Sequence, residues 1–112
     1  MLRIIDGKRG TGRTRKLAWA FLGHANKQKA ILISHPSQRP QVLEVIAEFY
    51  KEHQWPFTAA MKREFESKII TVWELQHIKQ GLPAETDLFI DNTERVLQEL
   101  LRFNVAAVVV ET

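Results

Sequence analysis

Five short apolar segments alternate with longer amphipathic segments along this chain, and this alternation constrains the fold more than any other feature. The apolar segments have the length of buried strands, and several lack the polar alternation of a half-exposed strand. Strands that are apolar on both sides are typical of a parallel sheet with helices on both faces. The predicted strands are Leu2–Asp6, Ala30–Ser34, Lys68–Thr71, Leu88–Asp91 and Val105–Val110.

Helices are predicted between the strands, where apolar residues recur at helical spacing. Pro40 suits the first position of one helix, and Gly81 suits the end of another. The stretch Gln54–Lys68 is the least regular, with Thr58 as the cap of a short helix. The other predicted helices are Arg15–His24, the segment that begins at Pro40, Trp73–Gln80 and Thr93–Phe103. We therefore predict an α/β fold: a single three-layer α/β/α domain spanning residues 1–112, with a mostly parallel five-stranded sheet.

Composition excludes several kinds of site. The chain has 112 residues and no cysteine, which rules out disulfides, thiolate zinc sites and cysteine nucleophiles. The four histidines lack the spacing of a metal site. No secretory signal is recognisable, and the apolar run Leu17–Leu22 is far shorter than the roughly 20 residues of a membrane span. We expect a cytoplasmic protein with no membrane partner.

Positive charge is concentrated in the first quarter of the chain. Up to Lys29 there are eight basic residues and one acid, Asp6, which gives +7, whereas the remainder carries eight basic and twelve acidic groups, which gives −4. A positive charge concentrated in one part of the chain favours an anionic partner: the phosphates of a nucleotide, a nucleic acid, or both. The alternative is a solvated basic face.

A glycine-rich segment follows the first predicted strand and precedes the first predicted helix. Glycines allow the backbone to approach phosphates closely, successive N–H groups can surround phosphate oxygens, and the helix adds its positive end. The hydroxyl of Thr14 suits a magnesium ion. The alternative is a strand-to-helix turn with no ligand. The segment consists of Gly7, Lys8, Arg9, Gly10, Thr11, Gly12, Arg13 and Thr14.

With this segment in this context, the sequence resembles the P-loop NTPases, and in particular the RecA-like core shared by many ATPases and helicases. The resemblance implies that Gly7–Thr14 binds ATP, or as the second choice GTP, with Mg²⁺. Leu88–Asp91 looks like the Walker B strand of that family, in which the aspartate holds magnesium. The resemblance thus assigns Thr14 and Asp91 to the metal. Alternatively, Asp91 caps the helix that starts near Thr93, with Glu94 completing a capping box.

Polar residues or glycine follow each predicted strand, at the edge of the sheet where ligands bind in open α/β folds. Ser34–Pro36 resembles the segment after the second strand of helicase cores, and Thr71 resembles the polar residue after the third. Thr112 stands where the family places a γ-phosphate sensor. These likenesses extend the expected site along the whole edge.

The sequence departs from the family pattern at two positions and in size. Arg13 stands in place of the usual lysine, and Asn92 in place of the glutamate that polarises water. Glu94 and Glu74 are candidate substitutes for that glutamate, and Thr112 is a further catalytic candidate. The chain also lacks room for the second RecA-like domain of a helicase. We therefore expect weak or partner-dependent hydrolysis, completed by a homo-oligomer or another protein.

Two functions from different classes follow. The first is a nucleotide-binding protein that is a candidate weak ATPase. The second is a non-catalytic module for nucleic acid or assembly, in which the basic first quarter contacts phosphates and binding depends on salt. Trp55-Pro56-Phe57 is either a loop folded against the core or a surface for a partner or for stacked bases.

Overall fold

The computed structural model describes residues 13–77, 83, 85–91 and 93–101. Within this part of the chain, a single-turn 3₁₀ helix at Pro36–Gln38 separates the first strand from the second helix. The strands are β1 (Lys29–Ile33), β2 (Ile69–Thr71) and β3 (Asp87–Ile90). The helices are α1 (Arg13–Leu22), α2 (Arg39–Glu52), α3 (Ala59–Lys68), α4 (Val72–His77) and α5 (Thr93–Leu101).

The three strands form one parallel sheet in the order β2-β1-β3. This confirms the predicted α/β class and parallel pairing. The predicted count of five strands is wrong for the described residues, whose sheet has three. The remaining two predictions, Leu2–Asp6 and Val105–Val110, lie outside the described residues. An apolar run by itself indicates burial, but pairing depends on partners distant in sequence.

Helices cover both faces of this sheet because successive side chains of a strand point to opposite sides. Ile31 and Ile33 of β1 pack in a core cluster with α1 and α2. The intervening Leu32 packs in a second cluster with Val72 of α4 and Val96 of α5. The described residues therefore form three layers. No helix among them is long and apolar enough to cross a membrane.

Local sequence signals set several element boundaries. Thr58 caps α3 as predicted, since its Oγ1 accepts a hydrogen bond from the backbone N–H of Met61 at 3.2 Å. Helix α3 then runs directly into β2, so Lys68 belongs to the helix rather than to the strand. Helix α1 starts at Arg13, two residues before the predicted start.

Lys29 closes the carboxyl end of α1 from the first position of β1. Its Nζ donates to the backbone oxygens of Phe21 and, at 3.0 Å, of His24, and it lies 4.7 Å from the centre of the Phe21 ring. Burial lowers the pKa of the Lys29 ammonium group, and the charge of Lys68 lowers it further. The contact satisfies carbonyl groups that a helix end leaves without an intrahelical partner.

We expect Lys29→Met to lower the free energy of unfolding by about 1 to 2 kcal/mol, because both charged hydrogen bonds are lost while the aliphatic stem remains. Urea denaturation followed by circular dichroism measures the change. Lys27→Met, at an exposed position two residues earlier, is the matched control and should change little. Equal losses in the two variants would contradict the capping role.

A second polar cluster ties the start of β3 to the connection after α1. Nε2 of His24 lies 2.7 Å from Oδ2 of Asp87, and Nδ2 of Asn26 donates to the same oxygen at 3.0 Å. The hydrogen bond from His24, followed by that from Asn26, holds the pKa of the Asp87 carboxyl below its ordinary value of 3.8. The charged carboxylate is thus stabilised in the folded state.

This cluster predicts a loss of stability in acid. A carboxyl whose pKa is lowered by folding stabilises the protein above its ordinary value of 3.8, and the contribution disappears as the pH falls through the lower folded-state pKa. We expect the melting temperature of Asp87→Asn to fall less steeply than that of the wild type below about pH 4. Glu85→Gln, at an exposed neighbouring position, should keep the wild-type slope. Parallel curves for all three proteins would contradict this role.

Candidate functional site at the carboxyl edge of the sheet

Two predicted metal ligands, Thr14 and Asp91, meet in the structure although 77 positions separate them. The Oγ1 of Thr14 lies 3.4 Å from each carboxylate oxygen of Asp91, and both side chains are half-buried. Thr14 is the second residue of α1, and Asp91 directly follows β3. The backbone N–H of Asp91 donates to the carbonyl of Leu32 at 3.0 Å, which holds Asp91 at the end of the sheet.

A magnesium ion fits this pair of side chains chemically. Magnesium usually keeps several water ligands and is held by one or two protein oxygens together with phosphates of the substrate. The hydroxyl of Thr14, at the start of α1, and the carboxylate of Asp91, directly after β3, are protein oxygens of this kind. In the described part of the chain, no group of three or more His, Cys, Asp or Glu side chains could hold a metal by itself. A metal here would therefore need oxygens from a ligand.

The structure describes few of the remaining positions of the glycine-rich segment. Gly7, Lys8, Arg9, Gly10, Thr11 and Gly12 lie outside the described residues. Arg13 starts α1, but the structure describes only its backbone. The first turn of α1 contains no acid, although acids are the residues that the positive end of a helix favours. Instead it carries Arg13, Arg15 and Lys16, of which Arg15 forms an ion pair with Glu52.

The turn after β1 forms one wall of a polar cleft. The side-chain oxygen of Gln38 accepts hydrogen bonds from the backbone N–H groups of Ser34, at 3.0 Å, and His35, at 3.2 Å. Nδ1 of His35 accepts from the backbone N–H of Ser37 at 3.1 Å, which assigns the proton of a neutral imidazole to Nε2. The turn is thus held by its own side chains, as in a capping box.

The opposite wall of the cleft belongs to α5. The cleft has a volume of about 460 Å³ and offers hydroxyl, amide, imidazole and guanidinium groups to a polar ligand. It lies between β1 and β3, where the chain leaves the sheet towards opposite faces, and open α/β folds bind ligands at such a point. The lining residues are Ser34, His35, Ser37, Gln38, Arg95, Gln98 and Glu99.

Glu74, which the sequence offered as a substitute for the water-polarising glutamate, binds other groups in the structure. It forms an ion pair with Arg39 and accepts a hydrogen bond from the backbone N–H of Thr71 at 3.2 Å. Partial burial alone would raise the pKa of Glu74, but the hydrogen bonds from Arg39 and Thr71, together with the charge of Arg39, outweigh it and lower the pKa. A carboxylate with a lowered pKa is a poor proton acceptor.

The position of Glu74 also separates it from the Thr14–Asp91 pair. Glu74 follows β2, Asp91 follows β3, and β1 lies between these two strands. Thr71 is buried beside Glu74, and its Oγ1 accepts a hydrogen bond from the backbone N–H of Glu74 at 3.0 Å. The side chain of Glu94 and the whole of Thr112 lie outside the described part, as does Asn92. The roles of these residues stay predictions from the sequence.

Sequence analysis did not single out the cleft residues of α5. Arg95 and Gln98 are three positions apart, so they share one face near the start of the helix. Their position shortly after Asp91 was the available sequence signal for a place near the site. The sequence did not show that the turn after β1 would face them across the cleft. Arg39 was missed for the same reason, since its partner Glu74 is 35 positions away.

Comparisons of this chain with models of known families, with curated proteins and with solved structures returned no match.

Proposed function

We propose that this chain is a P-loop protein that binds ATP, with GTP as the second choice, together with Mg²⁺. The observation that carries the proposal is the approach of the Thr14 hydroxyl to the Asp91 carboxylate, 3.4 Å at both oxygens. The glycine-rich segment and the strand that ends in Asp91 were each proposed from sequence to serve one ligand. The approach of Thr14, the last residue of that segment, to Asp91 at the edge of a parallel sheet supports that common role.

Each part of the site has a distinct task in this proposal. The backbone N–H groups of Gly7–Thr14 and the positive end of α1 hold the phosphates. The guanidinium group of Arg13 adds charge and donates hydrogen bonds to phosphate oxygens. Thr14 and Asp91 hold the magnesium ion, which neutralises phosphate charge when bound.

Hydrolysis by this chain alone should be slow. Asparagine at position 92 cannot accept a proton, and Glu74 is held by Arg39 away from the pair. Arg13 is longer and more rigidly planar than the usual lysine, so it follows a departing γ-phosphate less well. Glu94 and Thr112 are the remaining catalytic candidates. An arginine or glutamate from a second subunit or a partner would complete the site.

Strand β3 carries apolar side chains that the described residues leave partly exposed. It is an outer strand of the described sheet, and Leu88 and Ile90 leave 41% and 37% of their surface exposed. An exposed apolar strand at an edge is normally paired or covered. The predicted strands Leu2–Asp6 and Val105–Val110 lie outside the described residues.

Titration of the wild-type protein with fluorescent ATP and GTP analogues, with and without magnesium, tests the proposal directly. Saturable binding that magnesium strengthens supports it, and the ratio of the two affinities selects the base. Phosphate release measured on the same samples, alone and at high protein concentration, tests partner-dependent turnover. Absence of binding to both analogues in the presence of magnesium would reject the proposal.

A further inference from the structure

Three aromatic rings cluster at the carboxyl end of α2: the half-buried Phe49 and the exposed His53 and Trp55, which we call the aromatic platform. The ring centres lie 4.3 Å apart for Phe49 and His53, and 4.7 Å apart for His53 and Trp55. Trp55 exposes 53% of its surface, and His53 is exposed as well. By contrast, Phe57 is partly buried and packs against the core. Only part of the Trp55-Pro56-Phe57 segment therefore folds inwards.

The backbone holds Trp55 in place. The N–H of Trp55 donates to the carbonyl of Tyr50 at 2.9 Å, and the N–H of Gln54 donates to that of Lys51 at 3.0 Å. These two bonds, with Gln54 in the left-handed region at φ 55°, form a Schellman motif at the end of α2. The Trp55 ring also packs 6.0 Å from that of Tyr50. The platform is thus ordered before any ligand arrives, which reduces the entropic cost of binding.

Basic residues of α1 border the aromatic platform. The guanidinium carbon of Arg15 lies 4.4 Å from the centre of the Trp19 ring, and Trp19 packs 5.7 Å from Phe49 of the platform. Arg15 also pairs with Glu52, and this contact joins the start of α1 to the end of α2. Helix α1 and the platform therefore form one continuous surface.

The charge of this surface is unbalanced towards the positive. Lys16 on α1 and Lys51 on α2 are exposed, while Glu52 is engaged by Arg15 and Glu48 is the other exposed acid on the last turns of α2. Cations in the first turn of α1 oppose the helix dipole, so they cost stability rather than add to it. Lys16 lies beyond the glycine-rich segment, and a nucleotide in that segment does not account for it.

We propose that this surface binds single-stranded nucleic acid, with bases stacked on Trp55 and phosphates near Lys16 and Lys51. Exposed aromatic rings beside basic side chains suit single strands, because every unpaired base offers a face for stacking and every phosphate carries a negative charge. Protein–protein interfaces are depleted in lysine, so the exposed lysines of this surface favour a nucleic acid over a protein partner. The inference goes beyond the nucleotide site, because it uses different side chains and requires neither ATP nor magnesium.

The test is fluorescence anisotropy of a labelled oligothymidylate of about twelve nucleotides, a length that fits the usual site sizes. It is carried out at low salt without nucleotide or magnesium. We expect Trp55→Ala to weaken binding roughly 5- to 150-fold, the fold-change that corresponds to the loss of one stacked base. Trp73→Ala is the matched control: Trp73 is also exposed, at 66%, but lies on α4 with its ring stacked on His77. It should bind like the wild type.

Further variants separate the contributions. Trp55→Phe should restore most of the affinity, whereas Lys16→Gln should weaken binding of any single strand and make the salt dependence shallower by about one unit of log–log slope. Thr14→Ala should bind the oligonucleotide normally, so failure of the nucleotide site and failure of this proposal remain distinguishable.

Several results would overturn the inference: no oligonucleotide binding at low salt, equal losses in the Trp55→Ala and Trp73→Ala variants, or equal affinity for inorganic polyphosphate and the oligonucleotide. Self-association that Trp55→Ala abolishes, without oligonucleotide binding, would also overturn it and assign the platform to a protein interface.

Discussion

Thr14→Ala is expected to remove the magnesium dependence of nucleotide binding. In the presence of magnesium the affinity for fluorescent ATP should fall roughly 10- to 100-fold, since one hydroxyl ligand of a charged group is lost. Without magnesium the wild type and the variant should bind almost equally, because the backbone of Gly7–Thr14 remains. Titration under both conditions measures the difference.

Two companion variants sharpen this prediction. Thr14→Ser keeps the hydroxyl and should keep the magnesium dependence, which controls for loss of packing at the start of α1. Asp91→Asn should reproduce the Thr14→Ala phenotype, and the double variant should be little worse than either single one, because the two side chains act on the same ion. Strictly additive effects would mean that Thr14 and Asp91 do not share a ligand.

Phe21→Ala is expected to cause the largest loss of stability, about 3 to 5 kcal/mol. Phe21 is fully buried between α1 and the sheet, and its ring meets that of Phe89 edge to face at 5.4 Å. Lys29 lies over the same ring. Removing Phe21 leaves a cavity under the helix that carries Thr14, so nucleotide affinity should fall as well. Urea denaturation measures the free energy of unfolding.

Trp73→Ala provides a control of similar chemistry. Trp73 is larger than Phe21 but exposes 66% of its surface, so its removal should cost far less. If Phe21→Ala cost no more than Trp73→Ala, the packing of α1 against β1 and β3 would not be the main support of the site.

Prediction from sequence succeeded where the signal is local. The apolar runs that became β1, β2 and β3 were predicted to within about two residues at each end. The cap at Thr58 was predicted from a single side chain and its distance to the following helix. Such features depend on residues a few positions apart, so neighbouring residues suffice to identify them.

The site was predictable in part for a related reason. Parallel strands place their carboxyl ends at one edge, so residues after β3 and before α1 were expected to be neighbours. The contact of Thr14 with Asp91 agrees with that rule. The rule does not give strand order, and the engagement of Glu74 by Arg39 required knowing that β1 lies between β2 and β3.

Sequence alone determined the α/β class, the parallel pairing and the clustering of polar residues at one edge, because periodicity and strand direction follow from local backbone geometry. Tertiary structure alone decided which of those residues meet. The packing of α1 against α2 brought Arg15 to Glu52 and Trp19 to Phe49, and so placed the basic residues of α1 beside the aromatic platform. Contacts of this kind join residues dozens of positions apart, and they arise only when helices pack on a common sheet.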